Sequence, residues 1–235
     1  MAAYNRPPLP SDVARQLRQE AGFGCAKCGH PYLEYHHIIP FSQEAHFRCE
    51  DMVALCGNCH VAVGKMEPKN QYRFKHEPHN LKTGMMKGSL IADAKSTIFY
   101  AGSMSFSNVK SIISRDEDDI LSYKIIDDCL YVTVLILNEQ NKPLLKIIDN
   151  EIQFRVNDAW DFQHSTNKAI MRHKKRNIAC NIDLSSARPY IEANLWVGND
   201  KITINKNKFQ FGDSIIKDIN FMDWRSIVHY SSKKS

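Results

Sequence analysis

The chain has 235 residues, of which 43% are hydrophobic and 24% charged, and its formal net charge is +5. This balance is typical of globular proteins and excludes a disordered or collagen-like chain. The longest apolar stretch, around residues 130–137, is much shorter than the roughly 18–20 residues of a membrane-spanning helix, and residues 1–10 lack the apolar core of a secretory signal. We therefore expect a cytoplasmic protein without a membrane partner.

The first predicted element is a short helix over residues 12–21. Val13, Leu17 and Ala21 share one face of this helix, which predicts that this face packs against the rest of a small domain. Ser11 precedes the helix and is its predicted N-cap.

Metal-ligating side chains are concentrated in the first third of the chain. Residues 1–84 contain five of the seven cysteines and seven of the ten histidines. An odd number of cysteines without an export signal argues against a disulfide framework. Two C-x2-C pairs predict a structural zinc site of four thiolates with no open coordination position: Cys25, Cys28, Cys56 and Cys59. A redox C-x-x-C motif fits poorly, because there are two matched pairs and no βαβ pattern.

The residues around these pairs include histidines that zinc does not need. Residues 34–40 contain two adjacent histidines, His36 and His37, and His60 directly follows the second cysteine pair. In their order and spacing, residues 11–65 resemble the HNH endonucleases, a family with the ββα-metal fold.

The resemblance implies a two-stranded hairpin and a short helix around one catalytic divalent ion such as Mg²⁺ or Mn²⁺. It assigns His36 and His60 as ligands of this ion and His37 as the general base that takes a proton from water. Asp51 falls where the family has its asparagine, and we expect its carboxylate to accept a hydrogen bond from His37. Gly64 stands where many relatives have a further histidine.

The next segment, residues 67–90, is polar and basic and has no clear apolar period. We predict an HNH nuclease domain at residues 1–66, a basic linker at 67–90 and a β-rich recognition, sensor or assembly domain at 91–235. Four cations in or near the linker are candidate DNA contacts: Lys65, Lys69, Arg73 and Lys75. A solvated linker is the other interpretation of this segment.

From residue 91 onward, short runs rich in Ile, Val, Tyr and Phe are separated by turn residues. They predict a mostly antiparallel, sandwich-like all-β domain, with strands at 122–126, 130–137, 144–148, 152–156, 178–182, 190–196 and 201–205. The dense basic run at 168–176 is either a phosphate-contacting segment or a solvated strand edge. The predicted fold class is α+β, a small zinc-stapled ββα-metal (HNH) domain followed by the β domain.

These observations predict a metal-dependent endonuclease that hydrolyses phosphodiester bonds in DNA, in the first instance double-stranded DNA. The resemblance also suggests a bacterial or phage protein of restriction or antiviral defence. Two alternatives stay open: an inactive zinc/HNH module that binds DNA while the β domain recruits a partner, and a nuclease that is switched on by a ligand of the β domain. Cutting both strands with one active site per chain would need two subunits, so a homodimer is a further expectation.

Overall fold

A computed structural model describes residues 7–231 of the chain. The chain divides into two compact units, Met1–Met86 and Lys87–Ser235. The first unit holds helices and a two-stranded hairpin, and the second is built from β-strands. The predicted α+β class is therefore confirmed. No helix in the described part of the chain combines the length and the apolar character that crossing a bilayer requires.

The elements of the first unit follow one another with short connections. In chain order they are α1 (Ser11–Glu20), β1 (Glu34–His37), β2 (Met52–Leu55), α2 (Gly57–Val63), α3 (Pro68–His76) and α4 (His79–Thr83). Strands β1 and β2 are antiparallel, with His36 opposite Val53 and His37 opposite Met52. All four residues of β2 are buried, since both α1 and α3 contact this strand. The hairpin is thus the centre of the unit.

Helix α1 begins and ends one residue earlier than predicted. Ser11 is the first helical residue, and Pro10 occupies the cap position without a side-chain hydrogen bond. The proline ring already restricts the backbone that enters the helix, so a hydroxyl cap is not needed to define the start. Leu17 and Ala21 are buried as predicted. Gly22 adopts a left-handed conformation, with φ of 66°, and follows the helix end.

The segment predicted as a linker is structured. Residues 67–90 form helices α3 and α4 and strand β3 (Met85–Ser89). Three side chains of α3 make hydrogen bonds to residues 36–52 of the first unit, those of Gln71, Tyr72 and Lys75. The rings of Tyr72 and Phe74 also pack against the core. The buried side of α3 carries both apolar and polar residues. Its apolar residues therefore do not recur at the helical period by which a helix is recognised in a sequence.

The second unit consists of short strands joined mostly by tight turns. They are β4 (Ile98–Ala101), β5 (Met104–Ser107), β6 (Ser111–Arg115), β7 (Asp118–Ile126), β8 (Cys129–Leu137), β9 (Pro143–Ile148), β10 (Glu151–Arg155), β11 (Asp161–Ser165), β12 (Lys168–Lys174), β13 (Asn177–Asp183), β14 (Tyr190–Val197), β15 (Asp200–Asn205), β16 (Lys208–Phe211), β17 (Ser214–Ile216), β18 (Asn220–Met222) and β19 (Ser226–Tyr230).

These strands form two sheets. The seven-stranded sheet has the order β19-β6-β7-β8-β9-β10-β3. The ten-stranded sheet runs from β11 to β17 in chain order and includes β4, β5 and β18. Most neighbouring strands are antiparallel, with parallel pairs at β19·β6, β14·β4 and β18·β5. The mostly antiparallel architecture agrees with the prediction.

The predicted apolar runs all coincide with strands, to within one residue at the end of β10. Their alternating burial, for example along β8 and β14, explains why they were recognisable from sequence. The short strands β5 and β17 and the basic strand β12 have no comparable signal. The basic run at 168–176 falls mainly on β12, which lies between β11 and β13 and is not a sheet edge.

Candidate functional site

The two C-x2-C pairs come together at one end of the hairpin. Their four sulfur atoms lie within 4.8 Å of one another. Cys28 Sγ is 3.7 Å from Cys56 Sγ and 3.6 Å from Cys59 Sγ. A tetrahedral zinc ion with Zn–S bonds of about 2.3 Å holds its sulfur ligands about 3.8 Å apart. The cluster therefore has the size and the chemistry of a structural zinc site.

The thiols of this cluster influence one another's ionisation. Burial raises the pKa of Cys59 and of Cys28. At Cys56 burial acts in the same direction, but hydrogen bonds from neighbouring cysteines outweigh it and lower the pKa. Four thiolates in one place repel one another, so a bound cation is needed for all of them to be ionised together.

Helix α4 supports the first cysteine pair. Gly29 has φ of 80°, and a Cβ atom there would lie 2.6 Å from Asn80 Oδ1. Asn80 donates a hydrogen bond from Nδ2 to the Gly22 carbonyl at 3.0 Å, and the His79 amide donates to the Ala26 carbonyl at 2.9 Å. Only glycine combines this backbone conformation with so close an approach of a helix.

His36 on β1 and His60 on α2 lie side by side. Their ring centroids are 4.8 Å apart, and the ring planes meet at 69°. Gly64 makes room for this arrangement, because a Cβ atom at that position would lie 3.2 Å from His36 Cε1. The hairpin and the helix thus bring together the two residues that the resemblance assigns to the catalytic ion.

Gln71 of α3 holds the ring of His36. The amide of Gln71 is oriented by its own donation from Nε2 to the Met66 carbonyl at 2.7 Å. Its Oε1 is therefore an acceptor, and His36 Nε2 donates to it at 2.8 Å. An imidazole that donates from Nε2 keeps its lone pair on Nδ1. Burial lowers the pKa of His36, which favours the neutral ring that can bind a metal.

Glu34 makes the corresponding contact to His60. Its Oε2 accepts a hydrogen bond from His60 Nδ1 at 2.5 Å, which leaves the lone pair of that ring on Nε2. Glu34 and His36 are two residues apart on β1 and thus share a face of the strand. Both imidazoles therefore have one nitrogen tied to an oxygen acceptor and the other open to a ligand. This is the usual environment of histidines that bind a divalent metal ion.

His37 lies in a different, largely apolar environment. Its ring is 8% exposed and is surrounded by the rings of His46, Phe41 and Phe47 at centroid distances of 4.9, 5.4 and 6.0 Å. His37 Nε2 donates to the His46 carbonyl at 2.9 Å. His46 is itself held by donation from Nε2 to the Ile39 carbonyl at 3.0 Å.

Asp51 closes the loop between β1 and β2. Its carboxylate accepts hydrogen bonds from Tyr72 Oη at 2.6 Å and from Arg48 Nε at 2.8 Å, and its carbonyl accepts from the Ile38 amide at 2.8 Å. The sequence-based expectation was a hydrogen bond from His37 Nδ1, whereas His37 donates from Nε2 to a backbone carbonyl. These bonds from Arg48 and Tyr72 hold the loop before β2 and attach it to α3.

Replacing Asp51 by asparagine is expected to lower the free energy of unfolding by about 1 to 2 kcal/mol at neutral pH, because the charge-assisted bond from Arg48 is lost. Hydrogen bonds from Tyr72 and Arg48 hold the pKa of Asp51 below its ordinary value of 3.8. The folded protein therefore gains stability above that value and loses it as the pH falls through the lowered pKa. Urea titrations of both proteins should thus converge in acid.

The control for this experiment is Glu50→Gln, which removes a neighbouring exposed carboxylate. A stability difference between parent and Asp51→Asn protein that stays constant down to the lowest pH would contradict the assigned hydrogen bonds.

The four predicted DNA-contacting cations are not equivalent. Lys65, Lys69 and Arg73 are exposed and thus available to phosphates. Lys75 is only 10% exposed, and its Nζ donates to Glu20 Oε2 at 2.5 Å and to the Met52 carbonyl at 2.9 Å. We correct the assignment of Lys75 accordingly: it is a structural cation that joins α3 to α1 and β2.

Three residues of the site were not recognised from the sequence as contributing to it: Glu34, His46 and Gln71. A signal existed for Glu34, because alternate residues of a strand share a face and Glu34 is two residues before His36. For His46 and Gln71 there was none, since their contacts depend on how a loop and a helix fold back onto the hairpin. His46 and Gln71 are both largely buried, and a single sequence does not reveal this burial.

A hairpin followed by a helix, with clustered thiols at one end and paired imidazoles beside it, is the arrangement of the ββα-metal class. In agreement, residues 24–65 match the family model described as HNH endonuclease. The resemblance is thereby confirmed for this segment. Comparisons of the chain with curated proteins and with solved structures found no match.

Proposed function

We propose that the first unit is the catalytic part of a metal-dependent endonuclease, a hydrolase that cleaves phosphodiester bonds in double-stranded DNA. The observation that carries this proposal is the pairing of His36 and His60, whose rings lie 4.8 Å apart with one nitrogen of each left open. Zinc sites of four thiolates are closed, so hydrolysis needs this second, imidazole site.

His36 would bind a divalent ion through Nδ1 and His60 through Nε2. Bound there, such an ion supplies a positive charge beside the scissile phosphate, and Mg²⁺ or Mn²⁺ would serve. Two protein ligands leave further coordination positions for water and phosphate oxygens. The carboxylate of Glu34 and the amide of Gln71 keep the two rings in these tautomers.

His37 acts as the general base in this proposal. His37 Nε2 donates to the His46 carbonyl, and in this proposal Nδ1 of the neutral ring takes the proton of a water molecule. The oxygen of that water attacks phosphorus, the bond from phosphorus to the 3′ oxygen breaks, and the 3′ oxygen takes a proton from solvent. The rigid aromatic surroundings of His37 hold the ring in one orientation.

The exposed cations Lys65, Lys69 and Arg73 would contact the DNA backbone near this site. Each contact neutralises a phosphate and adds to a salt-dependent affinity. These contacts orient the duplex without reading its sequence.

Incubation of supercoiled plasmid with the full chain and Mg²⁺ or Mn²⁺ tests the proposal. We expect nicked and linear products with the parent protein and none with His60→Ala, in which half of the metal site is missing. A protein that binds plasmid but never cuts it with either ion would instead be the inactive DNA-binding module.

Replacing Gln71 by leucine is expected to weaken Mn²⁺ binding about 10- to 100-fold, because the acceptor that orients His36 is lost. Gln71→Glu keeps an acceptor oxygen and should retain most of the affinity. Isothermal titration of the zinc-loaded protein with Mn²⁺ measures this effect independently of cleavage.

Asn70→Leu is the matched control, because Asn70 is the exposed neighbour of Gln71 on the same helix. Equal Mn²⁺ affinity in the Gln71→Leu protein and the parent would show that Gln71 does not position His36.

A further inference from the structure

The outer face of the ten-stranded sheet carries a row of residues that crosses four neighbouring strands. Lys174 on β12 is opposite Asn177 on β13, and Trp196 on β14 is opposite Lys201 on β15. Directly opposed residues of antiparallel strands project from the same face. The row is thus made of two pairs, each with one cation.

The ladder between β13 and β14 joins the two pairs. The recorded pairs of this ladder end at Cys180 opposite Ala193, and Asn177 and Trp196 lie beyond that pair on the same two strands, where both line one groove. Near this end of the ladder, Asn194 Nδ2 donates to the Ile178 carbonyl at 2.9 Å and so ties β14 to β13.

The side chains of this row point away from the core. Leu195 and Val197 flank Trp196 and are buried, and Ile202, which follows Lys201, is buried as well. Neighbouring residues of a strand project from opposite faces, so Trp196 and Lys201 project outward.

The row lies in a groove with a volume of about 670 Å³. Besides Lys174, Trp196 and Lys201, the groove is lined by Arg176 from the turn between β12 and β13 and by residues 138–140 from the turn after β8. That second turn is fixed in place, because Asn141 exchanges two hydrogen bonds of 2.8 Å with the backbone of Gly198. The groove is therefore preformed.

The charge of the groove is positive. Lys174, Arg176 and Lys201 are exposed, and within residues 7–231 none of the three forms an ion pair with a carboxylate. The acidic residue of the lining is Glu139. Cations without partners around an aromatic ring are the combination that binds single-stranded nucleic acids, whose phosphates need charge and whose bases stack.

We propose that this groove binds a single-stranded nucleic acid, with its phosphates on Lys174, Arg176 and Lys201 and a base stacked on Trp196. Three steps between neighbouring strands separate Lys174 from Lys201, which amounts to about 14 Å at about 4.8 Å per step. Successive phosphates of an extended strand match cations that are spread over such a distance. The binding does not rest on the proposed cleavage in the first unit.

Fluorescence anisotropy of a labelled oligothymidylate, measured with the full chain and without added divalent ions, tests this inference. In the triple variant Lys174→Gln, Arg176→Gln, Lys201→Gln, we expect an affinity roughly 10- to 100-fold below that of the parent. The slope of log K against log salt should become shallower by about 2, because three phosphate contacts are lost.

A matched triple variant removes the same charge elsewhere on the second unit: Lys146→Gln, Lys206→Gln and Lys217→Gln, all at exposed positions. It should bind the oligonucleotide as the parent does. Equal losses in the two triple variants would overturn the proposal, because net charge alone would then explain the affinity.

The proposed stacking of a base on Trp196 is tested separately. Trp196→Ala should weaken oligothymidylate binding about 5- to 150-fold, and Trp196→Phe should restore most of it. Unchanged binding by Trp196→Ala would overturn the assignment of a single strand. Displacement of the oligonucleotide by ATP at similar concentration would also overturn it, since a free nucleotide would then be the ligand.

Discussion

The His37→Gln protein is expected to cleave plasmid DNA about 10²- to 10⁴-fold more slowly than the parent, with unchanged affinity for DNA. Glutamine retains an N–H that can donate to the His46 carbonyl, as His37 Nε2 does at 2.9 Å. It has no basic lone pair to accept a proton from water. The substitution therefore removes the proposed chemistry and preserves the contact that orients the side chain.

Steady-state nicking rates with Mn²⁺ and thermal melting of the same samples provide the measurement. His37 is buried, so His37→Ala would leave a cavity and an unpaired carbonyl and would mix a loss of stability with a loss of rate. A melting temperature of His37→Gln close to that of the parent would assign the rate loss to chemistry.

His76→Gln is the matched control, because His76 is an exposed histidine on α3. Its nicking rate should equal that of the parent. A His37→Gln protein that nicks plasmid as fast as the parent would show that another group is the base.

Removing the zinc is expected to unfold the first unit. The unit is small, with a core drawn largely from the hairpin and the residues beside the thiol cluster. Structural zinc contributes apparent binding energies of about 10–16 kcal/mol, which equals or exceeds the total stability of about 5–15 kcal/mol typical of a domain. Cys56→Ser should therefore lose both bound zinc and the helical signal of the first unit.

Zinc content by mass spectrometry and far-ultraviolet circular dichroism measure this outcome. Cys129→Ser makes the same chemical change on β8, outside the cluster, and should retain zinc and helix. If Cys56→Ser kept a full complement of zinc, the four-thiolate site would be wrong. A zinc-free protein with an unchanged helical signal would mean that the metal is not structural.

Much of the first unit could be predicted because its chemistry is local. The two C-x2-C pairs define ligand spacing within a single turn, and the adjacency of His36 and His37 on a strand already separates their side chains. The alternating apolar runs of the second unit similarly reveal β7 to β10 and β13 to β15. In each case the signal lies within a few residues of the structure it predicts.

The side chains that hold the site residues in place could not be predicted in this way. Gln71 reaches His36 across 35 residues of sequence, Tyr72 reaches Asp51 across 21, and Lys75 reaches the Met52 carbonyl across 23. All three lie on a helix whose mixed polar and apolar pattern resembles a solvated linker. Their partners are chosen by the packing of α3 on the hairpin, which no local period encodes.

The cationic row of the second unit depends on tertiary structure in the same way. Lys174 and Trp196 are distant in the sequence, and the order of the neighbouring strands β12, β13 and β14 brings both to one groove. Sequence by itself thus determined the thiol cluster, the histidine motif and the fold class, because these follow from short-range spacing. Only the tertiary structure decided which side chains orient those histidines, since that choice is made by contacts between distant segments.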